Sequence, residues 1–325
     1  MNTSEIIRNV YPDATSIGEP KIFPHSEITR FENKGKKLLA KILEKEIVLK
    51  ANPEDRQKFI DYLGGAVPHY YNTLKKLGVP VPPFHELIVS NGKLVEFVDD
   101  LGEINISEKL KTVSPDETKK LIHLMLRSTS PVFQNQSGPI GFDANGENFV
   151  ISAIESSEKA YFIDFSPPRV KYQGTYIVGF PQPTDPKEIT TSFERYYTPW
   201  GILRRMRIHL LTANPEVDHV FFAALRDVLP LTMFSEFEHK FNVGSDLRVR
   251  QLLASKQTRD VIEIIHKEKD VDTLREIAVQ VFWFKHKQLV PAKVFDLSRV
   301  HFHFSPTDRL QRLQLFKNAI IDTLT

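Results

Sequence analysis

The chain has 325 residues, of which 41% are hydrophobic and 26% charged, and its formal net charge is +2. These values are typical of a globular protein with two domains or lobes, and they exclude a disordered or fibrous chain. The small net charge gives no sign of a nucleic acid or a membrane surface as partner, so we expect neither. There is no cysteine, which excludes a disulfide framework or a thiol nucleophile and fits a reducing compartment.

The N-terminal segment MNTSEIIRNVYPDATS has mixed charge and lacks the apolar core of a signal peptide. The richest apolar runs, at residues 220–225 and 279–284, are too short to span a bilayer. We therefore expect a cytoplasmic protein.

The first hundred residues predict a β-rich lobe with one helix. Acidic residues after Pro53 mark the start of this helix, which we expect to run to Leu77 with an interruption near Gly64, Gly65 and Pro68. A stiff proline-rich connector follows at residues 79–83. Strands are predicted over residues 21–31, 38–43, 46–50, 85–89 and 93–98, from apolar alternation and intervening turns.

Beyond Gly102 the pattern becomes helical. Ser114 with Pro115 and Glu117 has the form of a capping box that begins a helix. Two short strands, at residues 148–152 and 160–165, precede amphipathic helices that extend from about Thr190 to the end. The sequence thus predicts an α+β fold, with a β-rich N-terminal lobe over residues 1–98 and a larger, mainly helical lobe over residues 99–325.

Three polar residues lie just before or within the two short strands. Asp143 lies five residues before Asn148 in the loop GFDANGENFVI, and Asp164 ends the apolar run YFID. A carboxylate beside such a run needs a compensating charge, because burying it alone is costly. A Mg²⁺ ion is a sufficient partner, since it prefers hard oxygen ligands together with substrate phosphates.

Phosphoryl transfer uses this set of groups. One carboxylate orients the attacking hydroxyl, an asparagine and a second carboxylate hold the metal, and a strand lysine neutralises phosphate charge. Lys50, at the end of EIVLK, supplies a lysine in the expected lobe.

These segments resemble the aminoglycoside phosphotransferase and choline kinase family of the protein-kinase-like fold. The similarity covers roughly residues 38 to 170 and includes IVLK, LKKLGVPVPP, KLVEFVDD, GFDANGENFVI and YFIDFSPPR. It implies ATP and Mg²⁺ as cofactors and a small-molecule hydroxyl as acceptor. By this resemblance, Asp143 is the catalytic base, Asn148 and Asp164 bind Mg²⁺, Lys50 contacts the phosphates, and Glu96, Phe97 and Val98 line the adenine pocket.

The chain departs from the family pattern at several positions. Gly141 stands where the family has a histidine before the catalytic aspartate, and Ser166 replaces a glycine after Asp164. No glycine-rich loop precedes Lys50. A protein or peptide kinase and a catalytically silent nucleotide-binding protein therefore remain alternatives to a small-molecule kinase.

Structural roles are the competing interpretations of the same residues. Lys50 suits a solvated strand end, Asp143 and Asn148 suit a loop with Asx turns, and Arg169 is a candidate ion-pair partner of Asp164. The run Arg204, Arg205 and Arg207 indicates either a solvated helix face or a site for an anion. A cationic acceptor is favoured instead by Asp185, Glu188 and Glu194, and Asp272 is expected to be a surface carboxylate.

Overall fold

The computed structural model describes residues 3–23, 26–43, 53–90, 93–102, 104–135, 140–152, 157–172, 175–178, 194–242, 244–298 and 306–325. The chain forms two compact units. The first comprises Met1–Glu103 with Val150–Asp185, and the second comprises Ile104–Phe149 with Pro186–Thr325. The described residues between 150 and 178, which the sequence analysis grouped with the helical lobe, thus belong to the compact unit that contains the N-terminal strands.

A five-stranded antiparallel sheet dominates the first unit. Its strands are β1 (Thr15–Phe23), β2 (Ser26–Asn33), β3 (Lys36–Leu43), β4 (Phe84–Ser90) and β5 (Lys93–Asp99), in the order β1-β2-β3-β5-β4. Two helices of this unit are α1 (Thr3–Val10) and α2 (Pro53–Leu77), the latter lying between β3 and β4 in the chain.

Each face of the sheet buries its own cluster of apolar side chains, because successive residues of a strand point to opposite faces. On the α1 face, side chains from α1, β2 and β3 pack with Val95 and Phe97 of β5. On the α2 face, side chains of α2 pack with Leu94 and Val98 of β5. The alternation along β5 therefore decides which of its residues share a face with α2.

Helix α2 is continuous, and the predicted interruption near Gly64, Gly65 and Pro68 is wrong. Pro68 lies inside the helix. Its neighbours Val67 and Tyr71 are buried in the α2-face cluster. Packing of this apolar side offsets the backbone hydrogen bond that proline removes.

Short strands complete the first unit. Strands β6 (Phe149–Ser152) and β7 (Lys159–Phe162) form one two-stranded sheet, and β8 (Arg169–Tyr172) with β9 (Thr175–Val178) form another. The sequence analysis predicted β6 and β7 but neither α1 nor β1. Its predicted strand at residues 46–50 lies outside the described residues.

The second unit is helical in the part that the structure describes. Ser114 caps the helix Pro115–Phe133 by accepting a hydrogen bond from the backbone of Glu117, which confirms the predicted helix start. The predicted α+β fold class, with a sheet-containing part and a helical part, is confirmed. The helices are α3 (Ile106–Lys109), α4 (Pro115–Phe133), α5 (Pro199–Ala213), α6 (Asp218–Val228), α7 (Leu231–Asn242), α8 (Ser245–Ala254), α9 (Thr258–Lys267), α10 (Val271–His286), α11 (Ala292–Leu297) and α12 (Pro306–Leu324).

The amphipathic helices near the C-terminus share one core. Buried side chains of α8, α9, α10, α11 and α12 form a single apolar cluster, in which Phe316 and Ile320 of α12 are fully buried. Among the described residues, no helix is long and apolar enough to cross a membrane.

Candidate active site

A lysine of the central sheet is paired with the predicted metal-binding aspartate. Lys41, on β3, places its Nζ 2.8 Å from Oδ1 of Asp164. Both side chains are largely shielded from solvent. This contact answers the question that the sequence raised for Asp164, because Lys41 supplies the compensating charge; the side chain of Arg169 lies outside the description.

The surroundings of Lys41 favour its charged form. Burial alone would lower the pKa of the Lys41 ammonium. The carboxylate of Asp164, and then that of Glu96, raise the pKa by more than burial lowers it, so the pKa lies above its usual value. Lys41 and Glu96 are directly opposite each other on β3 and β5. A cationic group is thereby fixed next to Asp164, as phosphate binding requires.

The segment that carries Asp164 is anchored on both sides. Before it, the backbone N–H of Phe162 donates to the carbonyl of Pro80 at 2.8 Å. After it, Phe165 is buried in the α2-face cluster, with its ring edge-on to Tyr71 at 5.1 Å between centroids. The backbone N–H of Ser166 donates to Oδ1 of Asp164 at 3.2 Å. Asp164 is therefore held by the packing of Phe165 as well as by its ion pair.

The three residues predicted to line an adenine pocket do not share one environment. Glu96 and Val98 are on the α2 face of the sheet, the same face as Lys41. The ring of Phe97 instead lies in the α1-face cluster, where it meets Phe31 edge-on at 6.0 Å. The side chain of Phe97 is thus on the opposite face from Lys41.

Lys50 lies outside the described residues, so its predicted role stays a prediction. Lys41 was missed, although the sequence carried a signal. It interrupts the apolar run LLAKIL of β3, and a charge within a buried strand needs a partner just as Asp164 does. The search for a lysine at the end of a strand favoured Lys50 over Lys41.

In the second unit, the loop before β6 holds Asp143 and Asn148 together. The side-chain amide of Asn148 donates from Nδ2 to the backbone carbonyl of Asp143 at 3.1 Å. Asn145 accepts a hydrogen bond from the backbone of Glu147 and caps the short 3₁₀ turn Gly146–Asn148. Short asparagine side chains thus bond to nearby backbone groups, as expected if this loop has a structural role. Neither the carboxylate of Asp143 nor the Oδ1 of Asn148 takes part in these two hydrogen bonds.

Gly141 lies close to the outer end of the Tyr197 ring. A Cβ atom built at this position would lie 2.5 Å from Cζ of Tyr197, which is closer than any real Cβ contact. The backbone N–H of Phe142 also donates to the carbonyl of Tyr196 at 2.8 Å. The residues around Tyr197 therefore fill the space that a histidine side chain at position 141 would need.

Asp143 is itself ion-paired. Arg205 of α5 donates from Nε to Oδ1 and from Nη2 to Oδ2 of Asp143, at 2.5 and 3.3 Å. The pKa of the Arg205 guanidinium is raised, because the Asp143 carboxylate outweighs the effect of burial. The guanidinium also lies over the Tyr196 ring, at 5.2 Å from its centroid. This two-pronged contact fixes the orientation of the Asp143 carboxylate.

The arginines of α5 take part in ion pairs in this unit, and the interpretation of the run as a solvated helix face is wrong. Arg207 is 1% exposed and pairs with Asp218 at 2.7 Å and with Glu276 at 3.1 Å. Together with the ion pairs of Arg195, Arg250 and Arg275, these contacts fall into three groups, which are Arg205 with Asp143, Arg195 and Arg275 with Asp272, and Arg204, Arg207 and Arg250 with Asp218, Asp270 and Glu276.

Asp272 was expected on the surface, and this prediction is also wrong. The residue is buried, and its carboxylate pairs with Arg195 at 2.7 Å and with Arg275 at 3.0 Å. Burial would raise the pKa of Asp272, but these two guanidinium groups hold it well below its usual value. Burial of Asp272 could not be predicted locally, because its partner Arg195 lies 77 positions away in the sequence.

The donor groups present suit Mg²⁺ by their chemistry. In the first unit, Asp164 offers a carboxylate, and the hydroxyl of Ser166 is buried and makes no hydrogen bond within the described residues. In the second unit, taken by itself, Asn148 offers an amide oxygen. Among those residues there is no cluster of three or more His, Cys, Asp or Glu side chains that could hold a metal by itself. Mg²⁺ is commonly bound by only a few protein oxygens, and substrate phosphates complete its coordination.

Comparison with known proteins yields structures but no family. No protein-family model matches the chain, and no curated protein shows significant similarity to it. The kinase domain of PknI from Mycobacterium tuberculosis is similar, with a TM-score of 0.41 and 13% identity over 70% of this chain and 95% of that one. Rad53 in complex with AMP-PNP gives 0.40 and 14%, over 70% and 56% of the two chains. The kinase PK-1 of Cydia pomonella granulovirus gives 0.36 and 16%, over 64% and 74%.

Because these TM-scores are below 0.5, the assignment of the fold depends on the chain's own elements. Three consecutive strands and, after one long helix, two further strands pair into one antiparallel sheet. The third strand carries a lysine, Lys41. An aspartate that follows a later strand pairs with this lysine. Protein kinases carry their phosphate-binding lysine on the third strand and a metal-binding aspartate later in the chain. The predicted protein-kinase-like fold class is therefore confirmed.

Proposed function

We propose that the chain is an ATP- and Mg²⁺-dependent phosphotransferase of the aminoglycoside phosphotransferase and choline kinase type, which transfers the γ-phosphoryl group to a hydroxyl of a small molecule. The observation that carries the proposal is the ion pair between Lys41 and Asp164 at 2.8 Å. The two charges compensate each other, and they come from distant parts of the chain. Phosphoryl transfer needs both.

Lys41 and Asp164 would serve the nucleotide. The Lys41 ammonium keeps its charge in this environment and would donate to phosphate oxygens. Asp164 and Asn148 would hold Mg²⁺, which would supply positive charge to neutralise the phosphates during transfer. Val98 stays a candidate for the adenine pocket because it shares a face with Lys41.

Asp143 would serve the acceptor. Its carboxylate is oriented by Arg205 and its backbone carbonyl by Asn148. A fixed carboxylate can receive the proton of the attacking hydroxyl, and such help is typically worth about 10²–10⁴-fold in rate. The acceptor class rests on the resemblance; the arginines of α5 are engaged with the chain's own carboxylates, which disfavours them as an anion site.

A silent nucleotide-binding protein is the second candidate. The specific observation in its favour is the bidentate contact of Arg205 with Asp143, which occupies both carboxylate oxygens. Such a protein would bind ATP through Lys41 but would not turn it over. Binding and turnover must therefore be measured separately.

Calorimetric titration of ATP, with and without Mg²⁺, tests the proposal. We expect Lys41→Met to weaken ATP binding at least tenfold, a loss that corresponds to about 1.4 kcal/mol. Lys36→Met is the matched control, because Lys36 lies on the same strand but its side chain is 52% exposed. Asp164→Ala should abolish the gain in affinity that Mg²⁺ gives, whereas Asp13→Ala, at an exposed aspartate, should preserve it.

The outcomes separate the candidates. A wild-type chain that binds no ATP would end the proposal, and equal affinity with and without Mg²⁺ would favour the silent protein. Lys50→Met belongs in the same series. If it weakens binding while Lys41→Met does not, Lys50 is the phosphate-binding lysine and the assignment to Lys41 is wrong.

A further inference from the structure

Glu96 is a buried carboxylate in the middle of the sheet. It is 1% exposed and lies directly opposite Lys41 in the register of β3 and β5. Residues directly opposite on antiparallel strands share a face, with Cβ atoms about 4.5–5.5 Å apart. Burying a carboxylate is costly without a compensating charge, and the Lys41 ammonium is one such charge on the same face.

The helix that would normally supply a partner for this lysine has no suitable residue in its described part. In protein kinases, the strand lysine pairs with a glutamate of the helix that follows the third strand. Here that helix is α2, whose side chains are described from Gln57 to Leu77. The only acidic residue in that stretch is Asp61, which is exposed and accepts a hydrogen bond from Gln57.

We propose that Glu96 positions Lys41 from within the sheet and takes the part that a helix glutamate plays in protein kinases. The inference rests on the proposed function and assigns Glu96 a role other than lining the adenine pocket. Asp164 accepts one of the three ammonium protons, which leaves two donors. Glu96 is an acceptor group on a neighbouring strand, so its position is fixed by backbone pairing rather than by movement of a helix.

The first test is a double-mutant cycle on the affinity for ATP in EDTA, so that no metal contributes. Glu96→Gln should weaken ATP binding about tenfold in the wild-type background, within the range of coupled charged residues. In a Lys41→Met background the same change should alter affinity less than twofold, because Glu96 acts through Lys41. An equal loss in both backgrounds would show a general structural role, and no loss in the wild-type background would also overturn the proposal.

Adenosine separates positioning from adenine recognition. If Glu96 acts on the phosphates through Lys41, Glu96→Gln should leave adenosine affinity unchanged. Loss of adenosine binding in the same proportion as ATP binding would return Glu96 to the adenine pocket. Glu86→Gln is the matched control, since Glu86 is an exposed glutamate on the adjacent strand β4.

Two further measurements keep the result unambiguous. Thermal unfolding shows whether the Glu96→Gln variant is folded. If it is not, Glu96→Asp, which keeps the charge but shortens the side chain, replaces it in the double-mutant cycle. Its effect on ATP affinity should likewise be seen with Lys41 present and be lost in the Lys41→Met background. A wild-type chain that fails to bind ATP refutes the proposed function. A wild-type chain that binds ATP without coupling between Glu96 and Lys41 refutes this inference alone.

Discussion

Replacing Asp143 by Asn tests catalysis and must be separated from stability. The substitution keeps the size of the side chain and removes the charge that would accept the hydroxyl proton. It also removes the charge from the ion pair with Arg205, in which the two side chains are 21% and 13% exposed. Turnover and unfolding are therefore both expected to change.

The magnitude of the stability loss follows from the geometry. Breaking a fully buried pair costs about 3–5 kcal/mol, but the asparagine oxygen can still accept the Nε hydrogen bond of Arg205. The loss should then match that of one hydrogen bond to a charged group, about 1.5–3 kcal/mol. At about 2–4 °C per kcal/mol for a chain of a few hundred residues, the melting temperature should fall by roughly 3–12 °C.

Turnover should fall by about 10²–10⁴-fold if Asp143 is the base. The assay is ATP hydrolysis, or transfer to any acceptor found, well below the melting temperature. The double variant Asp143→Asn with Arg205→Met removes both charges, so stability should recover while turnover does not. Asp218→Asn is the control. It breaks another arginine pair of the same unit and should destabilise the fold while turnover stays near the wild-type value.

Two outcomes would refute the reasoning. Undiminished turnover in folded Asp143→Asn would remove this residue from the mechanism. Recovery of turnover together with stability in the double variant would show that the loss came from unfolding and not from the missing base.

The remaining predictions concern stability. Gly141→Ala should cost about 1–3 kcal/mol of folding stability, because its Cβ would collide with Tyr197. Gly65→Ala is the control, since a Cβ at this position of helix α2 would meet nothing within 4 Å, and it should be neutral or stabilising. Equal effects of the two substitutions on thermal unfolding would contradict the contact with Tyr197. Burial lowers the pKa of His123 by more than the nearby Asp227 raises it, so the unfolded state binds more protons and stability is lost as the pH falls below about 6.5. Unfolding midpoints between pH 7 and pH 5 should fall more for the wild type than for His123→Gln, and parallel curves would exclude His123.

The parts of the fold that the sequence predicted are those with local signals. The cap at Ser114, the hairpin of β4 and β5 and the end of α2 near Gly78 all depend on residues within a few positions of each other. Helix α1 was missed because its buried face is limited to Thr3, Ile6 and Ile7, too few apolar positions to establish a helical period. Pro68 misled the analysis because tertiary packing overrides its local preference.

Individual residues of the candidate site could be predicted from the sequence, but the ion pairs between distant residues could not. Asp164 stood out because its charge follows an apolar run, and its ion pair confirms that it needed a partner. The partner itself lies 123 positions away. The local signal at Lys41, a charge within the apolar run LLAKIL, shows that this lysine needs a partner but does not show which residue that partner is. For the same reason Asp272 and the arginines of α5 were taken for surface residues, since their exposure is decided by helices that meet only after folding.

The long span of the Lys41–Asp164 pair also bears on how the chain is synthesised. The sheet is encoded in the first hundred residues, yet Phe165, which packs against Tyr71, and Asp164 are translated much later. Until then the nascent sheet lacks part of its α2-face cluster and one of the two carboxylates near Lys41. Contacts between residues so far apart in the sequence form slowly, because a long loop must close before they can form. Completion of the first unit is therefore tied to emergence of the segment around residue 165 from the ribosome, so a shorter nascent chain lacks the Lys41–Asp164 pair on which the proposed function rests.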